Sequence, residues 1–161
     1  MSYPLPNYRF EVSLESSEPY KPPSVPAIPK VVRVGAFSEV KGLGGELEIL
    51  AHPEGGQNAF VHQLPVRHTW GRLTLTKGVV LDRALWDWFE KGLTGSLGAR
   101  RDGSVSLLDA DGRLAITWEF RAALAAKWTG PELSAGGNGA VSIESLELVH
   151  QGLHQVVAGG A

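Results

Sequence analysis

The sequence contains no cysteine. That single absence removes disulfides, thiolate zinc sites and cysteine nucleophiles together. Stability has to come from packing alone, which suits a reducing compartment. A basic excess is also missing: 15 Lys and Arg stand against 17 Asp and Glu, a formal net charge of −2. Nucleic-acid binders carry a basic stripe, so no specific nucleic-acid binding is expected. Long apolar runs are absent. Nothing approaches the roughly 20 residues of a membrane span, so stable membrane insertion is not expected either. The N-terminal "MSYPLPNYRF" has neither the basic start nor the apolar stretch of a secretory leader. The expectation is synthesis in the cytoplasm without a signal peptide.

What is present fits one domain. A chain of 161 residues can bury one real core. Hydrophobic content of 43% and charged content of 20% are ordinary for a soluble globular fold. Phe10, Val12 and Leu14 alternate with Glu11 and Ser13, the period of a half-buried strand. Five prolines then fall between Pro19 and Pro29. Proline withholds backbone donors, so the segment 15–30 reads as a loop or arm rather than a central strand. Further strands are expected in "VVRVGAFSEVKGL", broken near Gly35, in "ELEIL", and in "GRLTLTKG", where Arg72, Thr74 and Thr76 oppose Leu73 and Leu75. "HPEGGQNAFVHQLP" reads as a long hairpin or protruding loop. "SVSLLDADGRLAITWEF" reads as a tight hairpin turning at Asp109–Gly112, with glycine supplying a positive φ. "ALAAKW" reads as a possible further strand. "VSIESLELVH" is a last strand whose phase slips between Ile143 and Leu146, as a bulge would cause. About eight short strands, with frequent turn signals and no internal repeat, predict a mainly β fold. The architecture expected is a small two-sheet barrel or sandwich with one flanking helix.

That helix is "LDRALWDWFEKG", capped by Asp82 and stopped at Gly92. At 100° per residue, Leu85, Trp86, Trp88 and Phe89 share an arc of roughly 160°, with Arg83, Asp87, Glu90 and Lys91 opposite. One broad aromatic face predicts a plug over the core. Trp86, at the edge of the arc, is the member best placed to touch a partner.

No chemical constellation rises above its ordinary structural reading. His62 and His68 are separated by a proline, and Gly152 stands between His150 and His154, so neither pair makes a metal site. "DADG" begins like a calcium loop, but the twelfth position is Phe120, which cannot donate a carboxylate. No phosphate-binding glycine loop, dinucleotide fingerprint or serine elbow is present. No catalytic residue, cofactor or metal is expected. Arg100 and Arg101 form a basic doublet beside a turn, either solvated or available for an inter-subunit ion pair.

Five stretches in order carry a resemblance: "FSEVKGLGGELEI" (37–49), "EGGQNAFVHQLP" (54–65), "GRLTLTKGVVLDRALWDWFEKG" (71–92), "SLLDADGRLAITWEF" (106–120) and "KWTGPELSAGGNGAVSIESLELVHQGL" (127–153). Together they resemble the tail tube proteins of contractile phages and bacterial contractile injection systems. Two departures are visible: "RAALAAKW" lacks the asparagine and aromatic–proline step of the family pattern, and the proline-rich segment is extra. The resemblance implies a non-enzymatic subunit that forms six-fold rings, stacked into a hollow tube inside a contracting sheath, within a phage tail or phage-tail-like particle. Its implied partners are copies of itself, neighbouring tube or baseplate proteins and the sheath. An initiator or adaptor ring joining tube to baseplate is the alternative within the family. Outside it stand a monomeric barrel binding a small ligand or carbohydrate through Trp70, Trp86 or Trp118, and a hydrolase with a dispersed acid pair. The interface candidates are Glu54, Gly55, Gly56, Gln57, Asn58, Trp86, Arg100 and Arg101, with the proline-rich arm.

Overall fold

Alternation of apolar and polar residues becomes ten strands and one α-helix in a computed structural model that describes residues 5, 9–15, 31–33, 37–95, 99–137 and 139–158. The strands are β1 (Phe10–Glu15), β2 (Val31–Arg33), β3 (Phe37–Lys41), β4 (Gly45–His52), β5 (His62–Trp70), β6 (Leu73–Gly78), β7 (Arg101–Leu108), β8 (Leu114–Thr129), β9 (Ile143–Val149) and β10 (Gly152–Val157). The helix α1 (Ala84–Leu93) lies between β6 and β7. The proline-rich segment beyond Glu15 and the break at Gly35 lie outside the described residues.

The long strand β8 organises the rest. Its first half pairs with β7 and with β10, and its second half pairs with β9. The resulting order is β2-β1-β7-β8-β9-β6-β3, with β10 also on β8 and every pairing antiparallel. "ALAAKW", residues 123–128, read as a possible further strand, is therefore the second half of β8. The changeover falls at Ala122, whose φ of +51° is left-handed. Its N–H donates to Asp102 Oδ1 at 2.7 Å, its carbonyl accepts from Arg100 Nη1 at 3.1 Å, and the β7 register slips alongside. A bulge of this kind re-aims a strand from one sheet to the next.

Both sheets fill one core. Val12, Leu14, Val105 and Phe120 come from one side, and Phe37, Leu73, Leu75, Leu146 and Leu148 from the other. The helix closes it with Leu85 and Trp88, both buried, while Trp86 and Phe89 are half-buried and Arg83, Asp87, Glu90 and Lys91 are exposed. Trp88 Nε1 donates to the Ala99 carbonyl at 2.6 Å, so the indole is buried without an orphaned donor. The core-plug reading of this helix therefore holds. Its ends differ from expectation. Asp82 Oδ1 accepts the Ala84 N–H at 2.9 Å from just outside the helix, and the left-handed glycine at the far end is Gly95, φ +74°, not Gly92. Gly92 lies inside the last turn, and its carbonyl accepts from Gly95 N.

The phase slip in β9 has a different cause from a bulge. The inward positions run Glu144, Leu146, Leu148 without interruption, and Ile143 is 54% exposed. The register shift sits on β8 instead, between Ala125 and Lys127. Glu144 tolerates the inward position because Lys77, equally buried, stands directly opposite on β6. Lys77 Nζ lies 3.5 Å from Glu144 Oε1 and 3.5 Å from Asp82 Oδ2. Trp128 Nε1 donates to Glu144 Oε2 at 3.1 Å. A charge read as a strand-phase error is a partnered buried charge.

The candidate assembly surface

Three features stand out among the described residues. The first is the β4–β5 hairpin. It forms its own two-stranded sheet and, among the described residues, pairs with no third strand. Every residue of β4 is exposed, as is every residue of β5 except His62. Leu47, Ile49, Leu50, Leu64, Val66 and Trp70 are among its exposed large apolar side chains. Two-stranded sheets are marginally stable in water, and an exposed apolar array of this size marks a contact surface. The sequence reading gave 52–65 as a long hairpin or protruding loop; the structure makes it the end of a hairpin, with 62–65 the start of β5. Pro65 obscured that strand, and it is tolerated because β5 has a free edge. The register slips opposite it, between Glu48 and Ile49.

The predicted residues Glu54 to Asn58 form the hairpin tip, all exposed. Gly56 takes φ +88° in a turn closed by the Gln57 N–H donating to the Glu54 carbonyl at 3.2 Å. Gln57 Oε1 accepts from Ala59 N at 3.1 Å, and Glu54 Oε2 pairs with His62 Nε2 at 2.9 Å. Lower on the hairpin, Arg67 pairs with Glu48 across the strands.

The second feature is the helix and its surroundings. Trp86 stands edge-on to Trp128 with centroids 4.8 Å apart. The arginine doublet divides. Arg100 is exposed and bonds the Ala122 carbonyl. Arg101 turns under the helix, its guanidinium carbon 5.2 Å from the centre of the Trp88 ring, with Nε buried and unpaired. Burial lowers its pKa from the ordinary arginine value, and the nearby Asp87 charge opposes that shift. Glu54–Asn58 thus sit together on one element, while Trp86 and Arg101 meet the helix and its base.

Sequence reasoning missed the third feature. Val79, Val80 and Leu81, between β6 and the helix, are exposed beside Val141 and Ile143. Val79 N donates to the Ser142 carbonyl at 2.9 Å, which joins the two segments into one ledge. The run "VVL" in the sequence carried the signal, but it reads equally well as core.

On the opposite side of the second sheet from the core, four strands present polar residues in register. Glu39 and Lys41 on β3 face Thr76 and Thr74 on β6; these face Ser145 and Glu147 on β9, which face Thr129 and Lys127 on β8. Arg72 Nη1 and Lys127 Nζ both approach Glu147, at 3.4 and 3.8 Å. Among the described residues no group of three or more His, Asp or Glu is arranged to hold a metal, and no helix is long and apolar enough to cross a membrane.

A two-sheet β domain with one plugging helix, an unsupported hairpin and a broad polar sheet face is the architecture of a structural protein that works through its surfaces. Residues 6–154 match the family described as T4-like virus tail tube protein gp19. The chain belongs to that tail tube family, whose members are structural and not enzymes. Among solved structures it is similar to a chain of the anti-feeding prophage baseplate, determined with six-fold symmetry, at 28% identity and TM-score 0.78, covering 99% of each chain. It shares its fold with a chain of the sheath–tube complex of the PVC extracellular contractile injection system in the extended state, at 23% identity and TM-score 0.77, over 97% of this chain and 93% of that one. A chain of the anti-feeding prophage tube-terminating cap shares it too, at 21% identity and TM-score 0.75, over 98% and 94%. No curated protein matches the chain. The tail-tube resemblance and the mainly β fold read from the sequence are therefore correct.

Proposed function

We propose that this protein is the repeated subunit of the inner tube of a contractile phage tail or injection particle, forming six-fold rings that stack coaxially around a channel. The observation that carries the reading is the family match over 6–154 in a fold whose β4–β5 hairpin has no further strand partner among the described residues. Unpaired edges are a liability in a monomer, and pairing them around a closed ring removes it. A ring stacked head-to-tail on its copy makes a filament. In this arrangement the polar sheet face of Thr74, Thr76, Ser145 and Glu147 meets channel water. The hairpin tip, Glu54 to Asn58, reaches the adjacent ring. Trp86, Arg100 and the proline-rich arm are further contact candidates. Arg101, tucked against Trp88, supports the helix that carries Trp86. The particle supplies the other partners: sheath outside, baseplate at one end. The similarity to a baseplate chain and to a sheath–tube chain fits that setting.

Electron microscopy of the purified protein and of the native particle tests this. Six-fold rings or tubes, with many copies per particle, are the expected result. A single ring per particle would make the protein the adaptor between tube and baseplate. A strict monomer at high concentration would overturn the reading.

A further inference from the structure

The hairpin joins the body through a narrow neck. Its two connections, residues 42–45 and 70–72, run backbone against backbone. Gly42 takes φ +89°, and a Cβ there would fall 1.8 Å from the Arg72 carbonyl oxygen. Gly71 N donates to the Gly44 carbonyl at 2.9 Å. A Cβ on Gly45 would meet the Trp70 ring at 2.8 Å. Two neck side chains also reach the body: Leu43 packs against the core, and Arg72 Nη1 lies 3.4 Å from Glu147 Oε2.

A histidine of the body bonds the neck's backbone. His150, at the corner between β9 and β10, places Nε2 3.1 Å from the Gly71 carbonyl oxygen and Nδ1 3.1 Å from the Gly152 carbonyl oxygen. Its ring lies near Trp70, with centroids 6.1 Å apart, and Phe120, at 6.4 Å. Both oxygens can only accept. A neutral imidazole has one N–H and one lone pair, so it satisfies one carbonyl and turns a lone pair to the other. The imidazolium donates to both. We propose that His150 is a proton-operated clamp that fixes the β4–β5 hairpin to the body when charged and loosens it when neutral.

The charged and titratable groups on the adjoining segments are His68, Arg72, Glu119, Arg121, Glu147 and His154. Arg72 and Lys127 both engage Glu147 on β9. Arg121 on β8 accepts the Gln151 N–H through its carbonyl at 3.0 Å. His154 on β10 pairs in register with Glu119, and His68 stands edge-on to the far partner, Trp70, at 5.8 Å. Among the described residues, the groups bonded to the His150 nitrogens are the two carbonyls. The clamp stands independently of the tube reading, but its consequence rests on it: hairpin direction sets how the tip meets the next ring, so stacking weakens when the imidazolium loses its proton.

Nitrogen-15 spectra of the histidine rings in the full chain test the clamp, in solution or, for assembled material, in the solid state. At acid pH, about 5.5, His150 is expected to show two protected N–H groups. At about pH 8.5 it should show one. Amide protection at Gly71, corrected for intrinsic exchange, is expected to fall roughly three- to tenfold over that rise, the size of one lost hydrogen bond. The fall should vanish in His150→Phe, which keeps an aromatic ring beside Trp70 and Phe120. If that variant fails to fold, His150→Gln, neutral at every pH, should give the same flat profile. A single N–H on His150 at the acid pH, or an equal fall in either variant, overturns the proposal. Neither result touches ring formation, which microscopy reads separately.

Discussion

Lys77 and Glu144 show what one residue contributes when its partner is present. Each is buried, each holds the other, and Asp82 and Trp128 complete the group. Removing one charge strands the other in a dry interior. Lys77→Ala is expected to lose about 3–5 kcal/mol of unfolding free energy, whereas Lys77→Met with Glu144→Leu should recover most of that loss. Chemical denaturation of the singles and the double checks both. Gly42 and Gly56 offer a second contrast at this scale. Both have positive φ, but a Cβ meets the Arg72 backbone at Gly42 and open space at Gly56. Gly56→Ala should lose about 1–2 kcal/mol from its left-handed φ alone. Gly42→Ala should lose more, because the neck must also move. Thermal melts of the two variants rank them.

A helix of ten residues earns its place through its buried face. Trp88 fills the core and spends its indole N–H on Ala99. Trp88→Ala is expected to lose about 3–5 kcal/mol, and Trp88→Phe less, with the Ala99 carbonyl left unbonded; denaturation midpoints measure both. The helix was legible because aromatic and charged residues recur at its own period. Its ends were not, because Asp82 and Gly92 are residue types that serve a cap or an interior position equally, and the path of the neighbouring chain decides which. At the same scale β5 and β10 were missed. Pro65 interrupts the alternation of the first. The second, "GLHQVV", begins with glycine and carries few inward residues, since it lies outside the buried core except at Leu153.

At the scale of the molecule, the body and the hairpin divide the work. The body has a continuous core, and the hairpin has strand pairing without burial. Replacing Glu54–Asn58 by an Asn-Gly turn should leave the melting temperature of the body within a few degrees, because surface loops contribute little to the core. The same variant is expected to form rings that no longer stack into long tubes. Light scattering and electron microscopy against the unaltered chain measure that loss. If tubes of normal length persist, the tip is not the stacking contact.

The sequence by itself determined the class of fold, the aromatic plug and the tail-tube family, because strand period, helix period and the order of five stretches are local properties that survive without coordinates. Tertiary structure decided the rest. Whether Glu144 is a phase error or a partnered charge depends on Lys77, a residue far away in sequence. Whether Arg101 is solvated depends on where the helix lands. Whether a strand of alternating residues joins the core or projects alone depends on which edges its neighbours leave open. Each of these is a relation between distant segments, and alternation along one segment carries no record of what lies across from it.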